Sequence, residues 1–206
     1  RTAKESKRVL FPCHNYKHAP VVKAIQSVID SGTIGTVSSV TLNTFRNTHA
    51  KGVTEWKSNW RREKRFGGGG IAMDHGSHTF YLTFSWLKSY PTAVTANMLN
   101  QSSSHYDTED NFSAVLTFPN GTAHVHLTWT AGVRKVIYTV QGTQGALTVD
   151  DDRMEIARMV KTDGPDVAQG NVKWTVERNE IASDWMDASH VGWFNSMFDQ
   201  FLKCIR

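Results

Sequence analysis

Cysteine, proline and long apolar runs are all scarce in this chain: two Cys and five Pro among 206 residues. Cys13 and Cys204 are too few for a disulfide framework, which argues against a small stapled domain and for cytoplasmic residence. Cys13 sits in an apolar run and is expected to pack as a small core residue. No stretch is apolar enough to span a bilayer, and no leader-like segment is visible, so neither a membrane nor a secretory partner is expected. A dominant charge sign is missing as well: the net charge is +4, with both signs interspersed. The densest basic cluster, Lys57 to Arg65, is interrupted by Trp60 and Glu63. It reads as a solvated loop guarding a polar ligand, not as a nucleic-acid face. There is no Gly-x-Gly-x-x-Gly turn between a strand and a helix, so no complete dinucleotide-binding fold is expected here.

What is present centres on Gly67 to His78. Four successive glycines allow positive φ and close approach of another group. The run through Trp86-Leu87 that follows reads as one helix opening at the glycines. On that helix Asp74 and His78 are four apart and share a face. A carboxylate beside an imidazole suits proton transfer, because the acid can hold the ring's tautomer and stabilise its charged form. A positive helix start would also favour a developing oxyanion. Adjacent to Asp74, His75 falls on another face. A metal centre built on Asp74, His75 and His78 lacks the His-x-x-x-His spacing that would begin one, so no metal is expected.

The order Gly-Gly-Gly-x-x-x-Asp-x-Gly-x-His, Gly68 to His78, resembles the signature of the glucose-fructose oxidoreductase / inositol dehydrogenase / MocA family. Other pieces agree in order. Tyr16-Lys17-His18-Ala19-Pro20 precedes a helix ending at Asp30-Ser31-Gly32-Thr33-Ile34-Gly35. Trp56 and Trp60-Arg61 precede the glycines, Asp110-Asn111-Phe112 begins a strand, and Gln141-Gly142-Thr143-Gln144-Gly145 comes last. The resemblance implies an NAD- or NADP-dependent oxidoreductase acting on a sugar, polyol or related hydroxy compound, with Asp74 and His78 over the reacting carbinol. Asn15, Lys17, Trp56, Arg61 and His75 become candidates for substrate contact. Gly69 and Gly70 become neighbours of the nicotinamide. The family's upstream Glu-Lys-Pro lysine has no counterpart in these residues. The chain therefore reads as the C-terminal half of a two-domain enzyme: residues 1–20 as the end of an upstream Rossmann-type domain, 21–206 as the substrate and oligomerisation domain. On its own it should neither bind cofactor nor turn over. A relative that has lost turnover and serves as a binding or oligomerisation module is the other reading the residues allow.

The rest of the chain predicts an α+β fold, a mostly antiparallel open β-sheet with helices on one face. Val9-Leu10-Phe11 reads as a short buried strand, and Pro20 opens a helix whose apolar residues recur to Ile29. Strands are expected over 37–46, 92–100, 112–118, 123–130, 136–140, 147–149, 154–159 and 172–176, with a hairpin at Asn120-Gly121. Residues 49–66 form a long, aromatic and basic connection, of the kind that carries function. Residues 101–109 are polar and read as a turn or mobile loop. His124 and His126 share a face that is solvated or meets another subunit, as the family's sheets do in homo-oligomers. Val191 to Ile205 is an amphipathic helix, with Ser189 at its cap, closing the core.

Overall fold

Helix α1 (Thr2–Glu5) is a single turn in the computed structural model of the chain, which describes residues 2–53, 55, 57–102, 105–160, 173–182 and 190–205. After a 3-10 turn at Asn15–His18, helix α2 (Pro20–Asp30) begins where the pyrrolidine ring presets φ and no N–H is lost. Its apolar stripe, Val21, Val22, Ile25 and Ile29, is fully covered. The chain turns out of it at Gly32, whose φ of 72° is cheap only without a Cβ.

Eight strands follow: β1 (Val37–Phe45), β2 (Ala93–Leu99), β3 (Asn111–Phe118), β4 (Gly121–Thr128), β5 (Lys135–Gly142), β6 (Gly145–Asp150), β7 (Arg153–Val160) and β8 (Lys173–Glu180). They form one sheet in the order β2-β3-β4-β1-β5-β6-β7-β8. Every neighbouring pair is antiparallel except β1 and β4. The period-two pattern fixes which face each residue takes. Val40, Leu42, Leu116, Val125, Leu127, Val140, Leu147 and Val149 turn inward and are buried. Their neighbours form a polar outer face, where Thr41 lies opposite both His124 and Thr139.

Between β1 and β2 come short α3 (Lys64–Gly67), α4 (Ile71–Asp74) and α5 (Gly76–Leu87). The last of these lies on β1 and β4 and buries Tyr81, Leu82, Trp86 and Leu87. Helix α6 (Val191–Ile205) packs on the 3-10 turn at Asn15–His18.

Glycine matters most where backbones touch. The β3–β4 hairpin forms as expected, but its two loop residues are Pro119 and Asn120, and Phe118 pairs with Gly121. Gly121 is needed because the Ser38 carbonyl occupies the place of a Cβ, not because a left-handed turn demands it. Asn120 Nδ2 donates to the Leu87 carbonyl at 2.9 Å and ties the hairpin to the end of α5.

Several sequence expectations need correction. Residues 9–14 contain no strand, and Val9 and Leu10 are exposed, because no neighbouring strand offers their backbone a ladder. Cys13, in the same segment, is exposed and not a core residue. The glycine helix is two helices, α4 and α5, interrupted at His75. Helix α6 closes the core with Trp193 and Met197 alone; Phe194, Phe198, Leu202 and Ile205 are exposed. The 101–109 connection, expected as a turn or mobile loop, does contain a turn, and Asp110 closes it by accepting hydrogen bonds from the Gln101 and Ser102 amides and from the Ser102 hydroxyl. Ser189 lies outside the described residues.

Candidate functional site

The run of glycines works as a joint. Gly68, at φ 78°, ends α3, and Gly70 lets the Glu109 backbone pass where a side chain would sit. Glu109 then turns its carboxylate onto the start of α4, where Oε1 accepts from the Gly70 and Ala72 amides at 2.8 and 3.0 Å. The positive helix start is thereby already satisfied, so it is not an oxyanion site. With α4 pinned, Asp74 stands at its end and His75 at the break, and His78 follows on the first turn of α5.

Asp74, His75 and His78 all line one open cavity of about 550 Å³ at the end of the sheet where β1 leaves and β5 begins. Asn15 and Tyr16 close one side and Arg61 another. The segment after β1, from Arg46 to Lys51, forms a wall, and Arg134, His190 and Phe194 complete the lining.

The polar contacts are specific. Asp74 Oδ1 accepts from Arg61 Nε at 3.0 Å, and Oδ2 lies 3.7 Å from His75 Nε2. His78 is held differently from the sequence expectation. Its Nδ1 lies 2.9 Å from the Tyr81 hydroxyl and its ring stacks on Tyr16 at 4.1 Å. The Tyr81 oxygen also accepts from the Tyr16 amide at 3.1 Å. Tyr81 and Tyr16, not Asp74, therefore set the orientation of the imidazole.

Burial lowers His78 to about 4 against the opposing pull of the Asp74 charge, and lowers His75 to about 4 in the same way. Both rings are neutral at physiological pH. Burial also lowers His49 and raises the Tyr16 and Tyr81 phenols.

Of the residues singled out from sequence, Asn15, Arg61, Asp74, His75 and His78 meet in this cavity. Lys17 does not: it lies over the Tyr81 ring at 5.7 Å and opens onto a different hollow beside Lys23 and Gln26. Trp56 lies outside the described residues. Trp60 anchors the 49–66 connection beneath Gly52, with the Arg61 guanidinium 4.3 Å from its ring. Sequence reasoning missed Tyr16 and Tyr81 as ring supports, and Arg46, His49, Arg134 and His190 as lining. Tyr81 alone had a readable signal, three positions beyond His78 on one helix face.

These residues do not compose a dinucleotide cradle. No glycine-rich strand-to-helix turn is present among the described residues, and Gly69 and Gly70 are packed by Met73 and Glu109. Nor do the described residues hold a group of three potential metal ligands, or a helix long and apolar enough to cross a membrane.

Comparison with known proteins agrees with the fold. A family described as the GFO/IDH/MocA C-terminal domain matches residues 22–148. A putative oxidoreductase, YteT, of Bacillus subtilis (strain 168) is 35% identical over 82 residues, 40% of this chain and 18% of its own length. The crystal structure of GenD2 from gentamicin A biosynthesis, in complex with NAD, superposes with a TM-score of 0.68 at 24% identity, covering 96% of this chain and 55% of that one. Levoglucosan dehydrogenase in complex with NADH and levoglucosan gives a TM-score of 0.68 at 18% identity, covering 92% and 55%. This chain thus spans about half the length of those two solved structures.

Proposed function

The chain belongs to the GFO/IDH/MocA C-terminal domain family, and from that premise we propose that it is the substrate-side domain of an NAD- or NADP-dependent dehydrogenase acting on a sugar, polyol or related hydroxy compound. One observation carries the reading: a neutral, oriented imidazole and a carboxylate share the lining of an open polar cavity. Relatives of this fold crystallised with NAD, or with NADH and levoglucosan, support the cofactor and substrate class.

In this reading a secondary carbinol enters with its hydroxyl toward His78 Nε2. Proton acceptance uses the tautomer that carries its proton on Nδ1, 2.9 Å from the Tyr81 oxygen, and its lone pair on Nε2. The Asp74 charge favours the imidazolium that results, and Arg61 keeps that carboxylate in place. Arg61 and Asn15 offer donors to neighbouring substrate hydroxyls. A nicotinamide carried by a separate nucleotide-binding domain would take the hydride from the same carbon. Since the described residues hold no dinucleotide cradle, the 206 residues alone are expected neither to bind cofactor nor to turn over. The polar outer face of the sheet is the surface through which copies of the protein associate.

The test is His78→Ala in the intact protein, assayed as NAD(P)+ reduction over a panel of sugars and polyols. General-base loss should lower kcat by roughly 10²–10⁴-fold. A loss below threefold removes His78 from the chemistry.

A further inference from the structure

The sheet has two edges of opposite character. β8 ends it on one side and carries Lys173, Glu177, Arg178 and Glu180. β2 ends it on the other side as Ala-Val-Thr-Ala-Asn-Met-Leu, without charge, proline or glycine. Charged side chains, proline, bulges and covering segments are what keep a sheet edge from pairing with a further strand. β8 has the first of these. β2 has neither charge nor proline, and its register with β3 runs unbroken from Ala93–Thr117 to Leu99–Asn111.

No other element covers β2 among the described residues. All seven of its residues are exposed, and its backbone hydrogen bonds run only to β3 and to the Asp110 amide just before it. Alternate residues of an antiparallel strand turn their N–H and C=O away from the neighbour. The far side of β2 therefore presents a row of donors and acceptors that a strand would fill. The side chains repeat the pattern. Val94 and Met98 lie opposite Leu116 and Phe112, which are buried, yet they are themselves 57% and 58% exposed. The apolar inner face thus continues one strand beyond its cover.

The chemistry of this edge specifies its occupant. Its backbone calls for a strand, and its side chains call for a neutral one, since a charged neighbour would lose water without gaining a counterion. β2 of a second copy meets both conditions. Antiparallel pairing about a two-fold axis at Ala96 is the register in which all seven residues find partners. It sets Val94 opposite the second copy's Met98, Thr95 opposite its Asn97 and Ala93 opposite its Leu99. A head-to-tail contact of β2 with β8 would instead set four charges against a neutral strand. Such a contact would also repeat without closing, whereas a two-fold contact closes at two copies.

We propose that β2 is the interface of a two-fold dimer in which the sheets of two copies join edge to edge. This interface is separate from the polar outer face, and no residue of β2 lines the cavity of Asp74 and His78, so it stands apart from the dehydrogenase reading.

Two measurements on the intact protein test it, sedimentation for the assembly and cross-linking for the edge. Val94→Lys and Met98→Lys, both at exposed positions, should each halve the sedimenting mass while circular dichroism shows the fold unchanged. Trp174→Lys, at an exposed position of β8, should leave the mass as it is. Ala96→Cys, combined with Cys13→Ser and Cys204→Ser, sets two thiol-bearing Cβ atoms about 5 Å apart across the axis. Mild oxidation should join that variant into a covalent dimer, and Trp174→Cys in the same background should stay single. A monomeric wild type, an unchanged mass in both lysine variants, or no cross-link at position 96 overturns the proposal. A fall in melting temperature at unchanged mass assigns the edge to another part of the same chain and overturns it as well. A mass that responds to Val115→Lys but not to Val94→Lys leaves the outer face as the surface of association and removes the edge.

Discussion

Burial keeps His75 and His78 neutral, and this has a measurable cost in acid. In the unfolded chain each imidazole titrates near 6.5; in the folded chain burial lowers both to about 4. Between those values the unfolded state binds more protons, so acid favours unfolding. The stability carried by the neutral rings is complete above pH 6.5 and is lost as pH falls through about 4. For His78 the full loss is on the order of 3 kcal/mol. Denaturant midpoints measured from pH 7.5 to pH 4 should fall accordingly, and His78→Gln should flatten part of that slope. Tyr81 makes a second prediction. Tyr81→Phe keeps the ring packed but removes the partner of His78 Nδ1 and of the Tyr16 amide. The expected result is a drop in kcat of about tenfold with little change in KM, because the hydrogen bond orients the base and does not bind substrate.

At the scale of elements, the short helix α4 depends on a residue thirty-five positions beyond its end, Glu109, for its first hydrogen bonds. Glu109→Ala should destabilise the fold by about 1–2 kcal/mol, read by chemical denaturation, and should lower activity beyond what that loss explains by loosening Asp74. No local pattern announces this cap, since its donor and acceptor meet only after β2 and β3 have paired. By contrast, the strands were legible, because alternation in segments such as Phe112 to Phe118 directly encodes one wet and one dry face. Val9 to Phe11 has strand-forming residues too, yet no strand stands beside it, and propensity without a partner yields none. The Asp74–His78 spacing reads as a shared helix face, but Asp74 ends α4 and His78 belongs to α5, and the two meet only in the lining of one cavity. The break at His75 was not legible, and it leaves the orientation of His78 to Tyr81 and Tyr16.

For the molecule as a whole, the layers were readable and the order of strands was not. Antiparallel hairpins are local, but nothing near Val37 to Phe45 states that it will lie between β4 and β5. That placement brings Arg46 beside Arg134 and therefore decides the charge of the cavity. The outer sheet face makes the remaining prediction. Val115 is exposed there, next to Thr95 on one side and His124 on the other. If copies associate through this face, Val115→Lys should shift the intact protein to smaller species in light scattering while its melting temperature changes little.

The sheet's one parallel pairing also bears on how the chain is made. As β1 leaves the ribosome neither flank exists: β4 begins at Gly121 and β5 at Lys135, more than seventy residues later. Until they are synthesised, a nine-residue segment without charge or proline must wait with its ladder unfilled. Such long-range pairing folds slowly and exposes the nascent protein to intermolecular sticking, so yield in a cell should depend on chaperone supply and on translation speed across residues 46–135.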